Sequence, residues 1–492
     1  MPPAQGSPDV GYWRSLSQLH GPEDPNIGAE FLPDQLEPMD GATRRRFLQI
    51  MGASVAMAGA VGCTRQHRYV VPAARGIEGR TIGQTQPYAT AMEVAGVAIG
   101  LLAQSYEGRP IRLDGNPKHP ANKGTINSWA VASVLGLYDP DRSKAITYQA
   151  NSKTAVVGKS WDDVKTAFRD LRTANSNNQG EGLRVLSEAS SSTTLKSIKA
   201  NLLAAFPKAQ WIEYEPVSRD NERLGTKLLF GLPLRVHYDL SKADIIVDLD
   251  ADLLGAHPAA LQYTREFASN RNPEAVLTQK AGYNRLYSVE SNLSTTGASA
   301  DHRLAWRSSD IKKFVAALGA QISSLLKSQT ATEHALGNAK ADRFLAALAK
   351  DVVANKGKCV LAVGFRHAPE VHAAVHELNH QLGNVGKTVQ YYAAPEGDAP
   401  ASSKAIADLA KEMAAGKVGT LFILGSNPVY TAPKDVNFAD ALAKVPSSIH
   451  ISVYHDETSE HCTWRLPQTH YLEAWSDARS WNGTHSIVQP LI

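Results

Sequence analysis

Short apolar runs alternate with amphipathic stretches from Trp161 to the end of the chain. Runs such as LRVLSEA, ADIIVDLDADLLG, GKCVLAVGF and GTLFILGSNP have the length of buried strands, whereas WDDVKTAFRDLRTA repeats its apolar residues at helical spacing. Strands that are apolar throughout are buried on both faces, as in parallel sheets that are covered by helices. The sequence therefore predicts an α/β fold with mostly parallel sheets flanked by helices.

A small β-rich region precedes this alternation, in the stretch AGVAIGLLAQSYEGRPIRLDGNPKHPANKGTINSWA. Residues 99–106 and 110–114 are predicted strands, and Glu107 and Gly108 form the tight turn between them. A helix follows, and the Asp-Pro pair of LYDPDRS ends it because a residue before proline disfavours helical backbone.

The composition excludes several classes of protein. The 492 residues include 51 Lys and Arg against 48 Asp and Glu, so the net charge of +3 gives no electrostatic footprint for nucleic acid. The 3 cysteines are far apart and form no CxxC pair, which argues against a disulfide framework and against a local thiolate site for zinc or iron–sulfur. The mildly apolar segments are shorter than the roughly 18–20 residues of a membrane-spanning helix.

The stretch TRRRFLQIMGASVAMAGAVGC has the pattern of a twin-arginine export signal. Arg44 and Arg45 are followed by Phe47 and Leu48 and then by a weakly hydrophobic run of small residues. A short buried helix with a basic cap is the alternative interpretation. The run ends in AVGC, which resembles a lipoprotein cleavage box, so Cys63 is either a lipidation site or an incidental cysteine.

These features divide the chain into five predicted segments. We expect a disordered extension over residues 1–42, the export signal over 43–63, a small β-rich domain over 64–145, and α/β domains over 146–345 and 346–492.

Several motifs together resemble the molybdopterin oxidoreductase family over roughly residues 85–492. They are EGRPIRLDGNPKHPANKG, LYDPDRS, LNHQLGNVGK, GSNPVYTAP and the closing run YLEAWSDARSWNGTHSIVQP. The resemblance implies a multi-domain α/β fold that begins with a small iron–sulfur domain. In that family four cysteines of the small domain bind a cluster, and a lysine links the cluster to the pterin.

The residues that would bind this cluster are absent. Alignment on the Gly-Leu-Leu of the first strand places the four cysteine positions at Met92, Ala95, Ile99 and Asn127, and the lysine position at Trp129. None of these side chains can replace a thiolate. We expect apolar side chains to fill the cluster pocket and to turn it into core.

The resemblance also indicates where a cofactor would lie. The family's metal ligand comes from a loop near WIEYEPVSRDN, where Ser218 is the conjectural equivalent. Two loops after strands, in VDLDADLLGAHP and LFILGSNPVYTAP, have the small residues that approach a phosphate closely, although ordinary α/β turns look the same.

In lacking the family's cluster ligands, the sequence resembles the B subunit of the alternative complex III, a quinol-oxidising respiratory complex. This resemblance implies a cofactor-free scaffold at the periplasmic face of the inner membrane. The implied partners are a fused ferredoxin-like domain with iron–sulfur clusters, multihaem and monohaem cytochrome c subunits, and an integral membrane quinol-binding subunit. The chain would then be a fragment or the product of a split gene. The alternatives are an active molybdopterin-dependent reductase of the polysulfide or thiosulfate type and a free-standing lipoprotein.

HELNH matches the HExxH zinc motif through His376 and His380, with His372 on the same helical face and Glu396 as a conceivable third ligand. A helix in the family's own LNHQLGNVG segment is the competing interpretation.

Acidic and hydroxyl residues form two further candidates. Glu188 precedes the run ASSSTT, which either binds phosphate or caps a helix. Asp248, Asp250 and Asp252 either bind a cation or form a solvated rim, and the rim is the preferred interpretation.

Overall fold

The computed structural model of the protein describes residues 83–150, 154–278, 283–329, 336–395 and 401–492. The export-signal residues Arg44, Arg45, Phe47 and Leu48, the candidate lipidation site Cys63, and Glu396 lie outside these residues. Within the described ranges, no helix is long and apolar enough to cross a bilayer.

The β-rich region is a three-stranded antiparallel sheet of β1 (Gln86–Val94), β2 (Val97–Tyr106) and β3 (Arg109–Gly115). Glu107 and Gly108 both have positive φ, of 50° and 83°, so the predicted two-residue turn is of the type that matches strand twist. Helix α1 (Ser128–Leu137) follows and ends before the Asp-Pro pair, as expected. Strand β1 was not predicted, because only its centre is buried and its alternation is weak.

A seven-stranded sheet forms the first α/β layer, in the order β5-β4-β16-β15-β14-β6-β7. Its five-strand part from β16 to β7 is parallel, and β4 and β5 add to one edge in antiparallel pairs. Its strands are β4 (Ile146–Tyr148), β5 (Val157–Lys159), β6 (Leu183–Ser187), β7 (Gln210–Glu213), β14 (Thr420–Leu424), β15 (Ser447–Ser452) and β16 (Trp464–Pro467).

A four-stranded, wholly parallel sheet forms the second layer, in the order β11-β10-β9-β12. Its strands are β9 (Ile245–Leu249), β10 (Arg285–Glu290), β11 (His302–Ala305) and β12 (Cys359–Val363). Two antiparallel pairs complete the described strands: β8 (Leu234–Tyr238) with β13 (Val389–Ala393), and β17 (Ser476–Arg479) with β18 (His485–Val488).

Helices cover these sheets, and their apolar faces supply the cores. Phe314, Leu318 and Leu348 are fully buried against the second sheet. The helices after α1 are α2 (Trp161–Asn177), α3 (Thr193–Ala205), α4 (Asp220–Phe230), α5 (Ala260–Ser269), α6 (Pro273–Leu277), α7 (Thr295–Ala298), α8 (Ile311–Leu326), α9 (Ala339–Ala354), α10 (Pro369–Gln381), α11 (Ser402–Ala414), α12 (Pro428–Thr431), α13 (Phe438–Leu442) and α14 (Glu457–His461). The predicted α/β class with mostly parallel sheets and a preceding β-rich region is confirmed.

The two α/β layers do not follow the predicted boundary at residue 345. The first sheet combines β4 to β7 with β14 to β16, and the second combines β9 to β11 with β12. The chain therefore leaves the first sheet, completes the second and returns to the first. Sequence order did not reveal this exchange because parallel neighbours need only be close in space.

Helices α4 and α10 pack closely because Gly225 has no side chain at their contact. A Cβ at Gly225 would lie 2.4 Å from Cβ of His372 and 2.9 Å from the carbonyl oxygen of Pro369. This contact fixes α4, whose first turn contributes to the site described below.

We predict that Gly225→Ala destabilises the protein by about 1–3 kcal/mol, since the added methyl group overpacks this contact. Gly136→Ala in α1 is the matched control: the nearest atom to its added Cβ is 3.6 Å away, so helix propensity should raise stability by up to about 1 kcal/mol. Thermal unfolding of both variants measures the difference. An unchanged or raised midpoint for Gly225→Ala would contradict the packing described.

Candidate functional site

A cavity of about 700 Å³ lies where strands of both parallel sheets end. Ala189 follows β6, Glu215 follows β7, Leu254 follows β9 and Phe365 follows β12, and all four residues line the cavity. Ligands of open α/β sheets bind beyond the carboxyl ends of the strands, and this volume is within the range of small-molecule and cofactor sites. The cavity is therefore the candidate functional site.

Four of the five degenerate cluster positions line this cavity. They are Ala95, Ile99, Asn127 and Trp129. Asn127 caps α1 by accepting a hydrogen bond from the backbone N–H of Ala130, and the Trp129 side chain is 79% exposed.

The expected conversion of the cluster pocket into core occurs only in part. Met92 and Ile99 pack against the small core of the β-rich region. Ala95 lies in a β-hairpin turn and has a positive φ. Ala95, Asn127 and Trp129 line the open cavity and do not contribute to the core.

Ser218 also lines the cavity, half-buried in the loop between β7 and α4. Of the two predicted phosphate-approaching loops, the one after β9 contributes Gly255 and Ala256 to the lining. The loop after β14, with Gly425, is absent from that lining.

Arginine and aromatic side chains form one wall, which sequence reasoning missed. The Arg235 guanidinium lies 4.5 Å from the ring centre of Trp481, and that of Arg219 lies 5.5 Å from Trp481 and 5.2 Å from Phe365. The indole N–H of Trp481 donates to the carbonyl of Val236 at 2.8 Å and fixes the ring. Trp481 lies within a motif that carried the family resemblance and Arg219 lies in the segment WIEYEPVSRDN, but spacing alone could not bring them together.

Ion pairs orient the cations of this wall. Arg219 pairs with Glu222, and Arg223 contacts Asp220 at 3.0 Å, both within the first turns of α4. A guanidinium that is held by a carboxylate and stacked on an aromatic ring loses little entropy when it binds a planar or phosphorylated ligand.

Glu215 is the unusual carboxyl of the cavity. Burial raises its pKa from 4.5 to about 7, and the nearby Glu188 and Glu93 add to the effect, although the N–H of Ala189 donates to Glu215 at 2.9 Å and opposes it. The pKa of Glu188 is raised by burial and by Glu93. The site therefore has a carboxyl that exchanges a proton near neutral pH.

Hydroxyl groups of the ASSSTT run bind protein carboxylates. Asp477 accepts hydrogen bonds from Ser192 Oγ at 2.6 Å and from the backbone N–H of Thr193 at 2.8 Å, at the N-terminus of α3. Burial would raise the pKa of Asp477, but the bonds from Ser192, Thr193 and Thr194 outweigh it and lower that pKa. The capping interpretation fits this end of α3, because a carboxylate takes the place of a phosphate.

The three aspartates at the end of β9 and in the loop after it do not form a solvated rim, so that expectation was wrong. Asp248 is fully buried and accepts from the N–H groups of Ala251 and Leu253 at 3.3 and 3.2 Å. Asp252 accepts from the N–H of Ala256 at 2.8 Å. Buried backbone donors need acceptors, so these carboxylates fold the loop that lines the cavity.

Asp250 has the same structural role. It has a positive φ of 57° and accepts from Ser308 Oγ at 2.8 Å, with Arg366 at 3.3 Å. Burial would raise the pKa of Asp250, but hydrogen bonds with His367, Ser308 and the N–H of Ser291, helped by the charge of Arg366, hold that pKa at about 2.

The HELNH pair is divided between two environments. His376 is 1% exposed, whereas His380 is on the solvent side of α10. Among the described residues, no group of three His, Cys, Asp or Glu side chains is arranged to bind a metal ion. The buried partner of His376 is instead His372, one turn earlier.

We predict that Glu215→Gln flattens the pH dependence of stability. A carboxyl with a raised pKa stabilises the fold below its unfolded pKa, and this contribution is lost as the pH rises from 4.5 to about 7. The variant lacks that loss, so above pH 7 it should exceed the unsubstituted protein by on the order of 2 kcal/mol. Glu107→Gln, in the exposed turn, is the matched control. Parallel stability profiles for Glu215→Gln and the unsubstituted protein would refute the assignment.

Comparison with known proteins gives the site its context. Residues 160–487 match the molybdopterin oxidoreductase family. The chain is 26% identical over 438 residues to the "menaquinone reductase, molybdopterin-binding-like subunit" of Nitratidesulfovibrio vulgaris. The aligned region covers 82% of this chain and 61% of that protein. The structure of acetylene hydratase from Pelobacter acetylenicus has a similar fold, with a TM-score of 0.60 and 12% identity over 82% of this chain and 66% of that one. The chain thus spans less than two thirds of each of these proteins.

The family match corrects the expectation that this chain has no cofactor. The matched region is a molybdopterin-type domain, and it includes Ser218, Arg219, Glu215 and Trp481 of the open cavity. The residues at the predicted cluster positions Ala95, Ile99 and Asn127 border this cavity and leave it open. Since the match covers more than half of its length, the chain belongs to the molybdopterin oxidoreductase family.

Proposed function

We propose that this chain is the molybdopterin-type subunit of a membrane-associated quinone oxidoreductase complex and that its cavity binds a molybdopterin-type cofactor. The observation that carries the proposal is the open cavity of about 700 Å³ at the carboxyl ends of β6, β7, β9 and β12. A non-catalytic scaffold needs no such volume, and packing would favour filling it with side chains.

The lining suits an anionic, partly planar ligand. Arg219, Arg223 and Arg235 supply three guanidinium groups, which bind phosphate in bidentate fashion. Gly255 and Ala256 leave room for close approach of the backbone. When bound, the cofactor supplies a redox-active metal centre, and Ser218 is the side chain of the β7 loop that would face it.

Glu215 would exchange a proton with the bound ligand. Its pKa of about 7 means that a small change in the charge of the cavity alters its protonation. Arg219 and Arg223, held by Glu222 and Asp220, would orient the ligand.

The complex and its location rest on the relatives and on the N-terminal motif. The curated relative is named a menaquinone reductase subunit, and this supports a quinone as the electron carrier here. Arg44 and Arg45 support export, and Cys63 supports a lipid anchor at the periplasmic face. Within this class we propose an assembly of the alternative complex III type, with cytochrome c and integral membrane quinol-binding subunits as partners.

The missing cluster ligands have a consequence for such an assembly. Met92, Ala95, Ile99 and Asn127 provide no thiolate in the small β-rich region, so these positions give no iron–sulfur relay from the cavity to the surface. Electron transfer would then require a partner that docks close to the cavity, where Trp129 is exposed.

We predict that Ala256→Trp abolishes cofactor binding, since Ala256 is an exposed residue that lines the cavity. In natively purified protein, pterin and molybdenum should be near one per chain before substitution and should fall about tenfold or more after it, the loss expected when bulk blocks a closely fitted site. Ala132→Trp, at an exposed position on α1, is the matched control and should keep the full content. Absence of pterin from the unsubstituted protein, or full retention in Ala256→Trp, would overturn the proposal.

A further inference from the structure

A second, much smaller cavity lies beside the first. It measures about 10 Å³, which is the space that the centre of one water molecule requires. His372 and His376 of α10 line it, together with Glu222, His257 and Tyr238.

Two histidine nitrogens at this place have no partner. Nε2 of His372 and Nε2 of His376 are buried and make no hydrogen bond, and the two residues are 2% and 1% exposed. Burial lowers the pKa of His372 to about 3 and that of His376 to about 4, so both rings are neutral. A buried polar atom without a partner destabilises the fold, and a bound water would supply the missing hydrogen bonds.

The pair of buried histidines, His372 and His376, is connected to the surface on one side. The hydroxyl of Tyr391 and Nδ1 of His376 form a hydrogen bond of 3.2 Å, and Tyr391 is only half-buried. The two nitrogens of His376 therefore connect different places: Nδ1 faces the Tyr391 hydroxyl, and the unpartnered Nε2 belongs to the ring that lines the small cavity.

On the other side, the small cavity that these histidines line borders the large cavity. Glu222 and His257 line both cavities, and Glu222 is the carboxylate that pairs with Arg219. His367 and Arg219 are the other charged or titratable groups close enough to act on His372. Because Glu222 also lines the small cavity, a molecule bound there would lie between the histidine nitrogens and a carboxylate of the large cavity.

We propose that one ordered water binds between His372 and His376 and completes a proton path from Tyr391 to the large cavity. The Tyr391 hydroxyl and the water each gain and lose a proton on the same oxygen, and His376 gains a proton on one ring nitrogen as it loses one from the other, so no net charge is left in the interior. The path would serve the cofactor cavity, and to that extent it rests on the proposed function. The water and the proton exchange that it permits do not depend on a bound cofactor.

Proton exchange in the full-length protein tests the path. In ¹⁵N-histidine-labelled protein, the ring N–H signals of His372 and His376 are assigned by their loss in His372→Gln and His376→Gln. Their exchange with water should be fast, and Tyr391→Phe should slow it about tenfold, the effect of losing one hydrogen bond of a relay. Tyr392→Phe removes the neighbouring exposed hydroxyl and should leave the rate unchanged.

A crystal structure supplies the second readout. Density for a water within about 2.7–3.2 Å of Nε2 of both histidines supports the proposal. A dry cleft, an anomalous signal for a metal ion there, or equal exchange rates in Tyr391→Phe and Tyr392→Phe would overturn it. The pterin content of Ala256→Trp tests the proposed cofactor site, whereas the exchange rates and the water density test the proton path. Failure of the cofactor proposal can therefore be distinguished from failure of the proton path.

Discussion

The convergence of parallel strand ends is the constraint on which the site depends. Two parallel sheets present the carboxyl ends of β6, β7, β9 and β12 to one place, and the loops that follow them enclose the cavity. Polar contacts hold these loops, most clearly the loop after β9, whose backbone donors bind to Asp248 near the end of that strand and to Asp252 within the loop. The chain can therefore keep an open volume at this edge while the backbone donors of the β9 loop stay paired.

The small β-rich region is held together by side-chain packing at positions where the family resemblance would place metal ligands. Met92 and Ile99 are partly buried and pack against its core, so apolar contacts stabilise the hairpin at these positions. Trp129 and Ala95 instead border the large cavity and leave that side of the region open.

The sequence predicted the fold class and the loops that lie near the site, because apolar runs and turn residues are local signals. The turn at Glu107 and Gly108 and the segment that contains Ser218 are examples. It could not predict the pairing of β12 with β9 or of β14 with β6, which sets the domain arrangement. The stacking of Arg235 on Trp481 was equally hidden, since 245 residues separate Trp481 from Val236, which holds its indole.

Burial explains why two sequence-based interpretations, the solvated aspartate rim and the HExxH zinc motif, do not match the structure. The pattern of Asp248 and its neighbours looks solvated in sequence, but loop closure gave these carboxylates internal partners. In HELNH the motif pairs His376 with His380, whereas the helix buries His376 with His372. Helical spacing allows both pairs, and only the packing of α4 against α10 at Gly225 decides between them.

The most direct test of the central claim is an electron-density map of the chain in its natively purified complex, with diffraction recorded at the molybdenum absorption edge. The account predicts pterin density in the large cavity, contacts from Arg219 or Arg235, and an anomalous peak near Ser218. A cavity that is filled by side chains of a partner subunit, without pterin or metal, would contradict it.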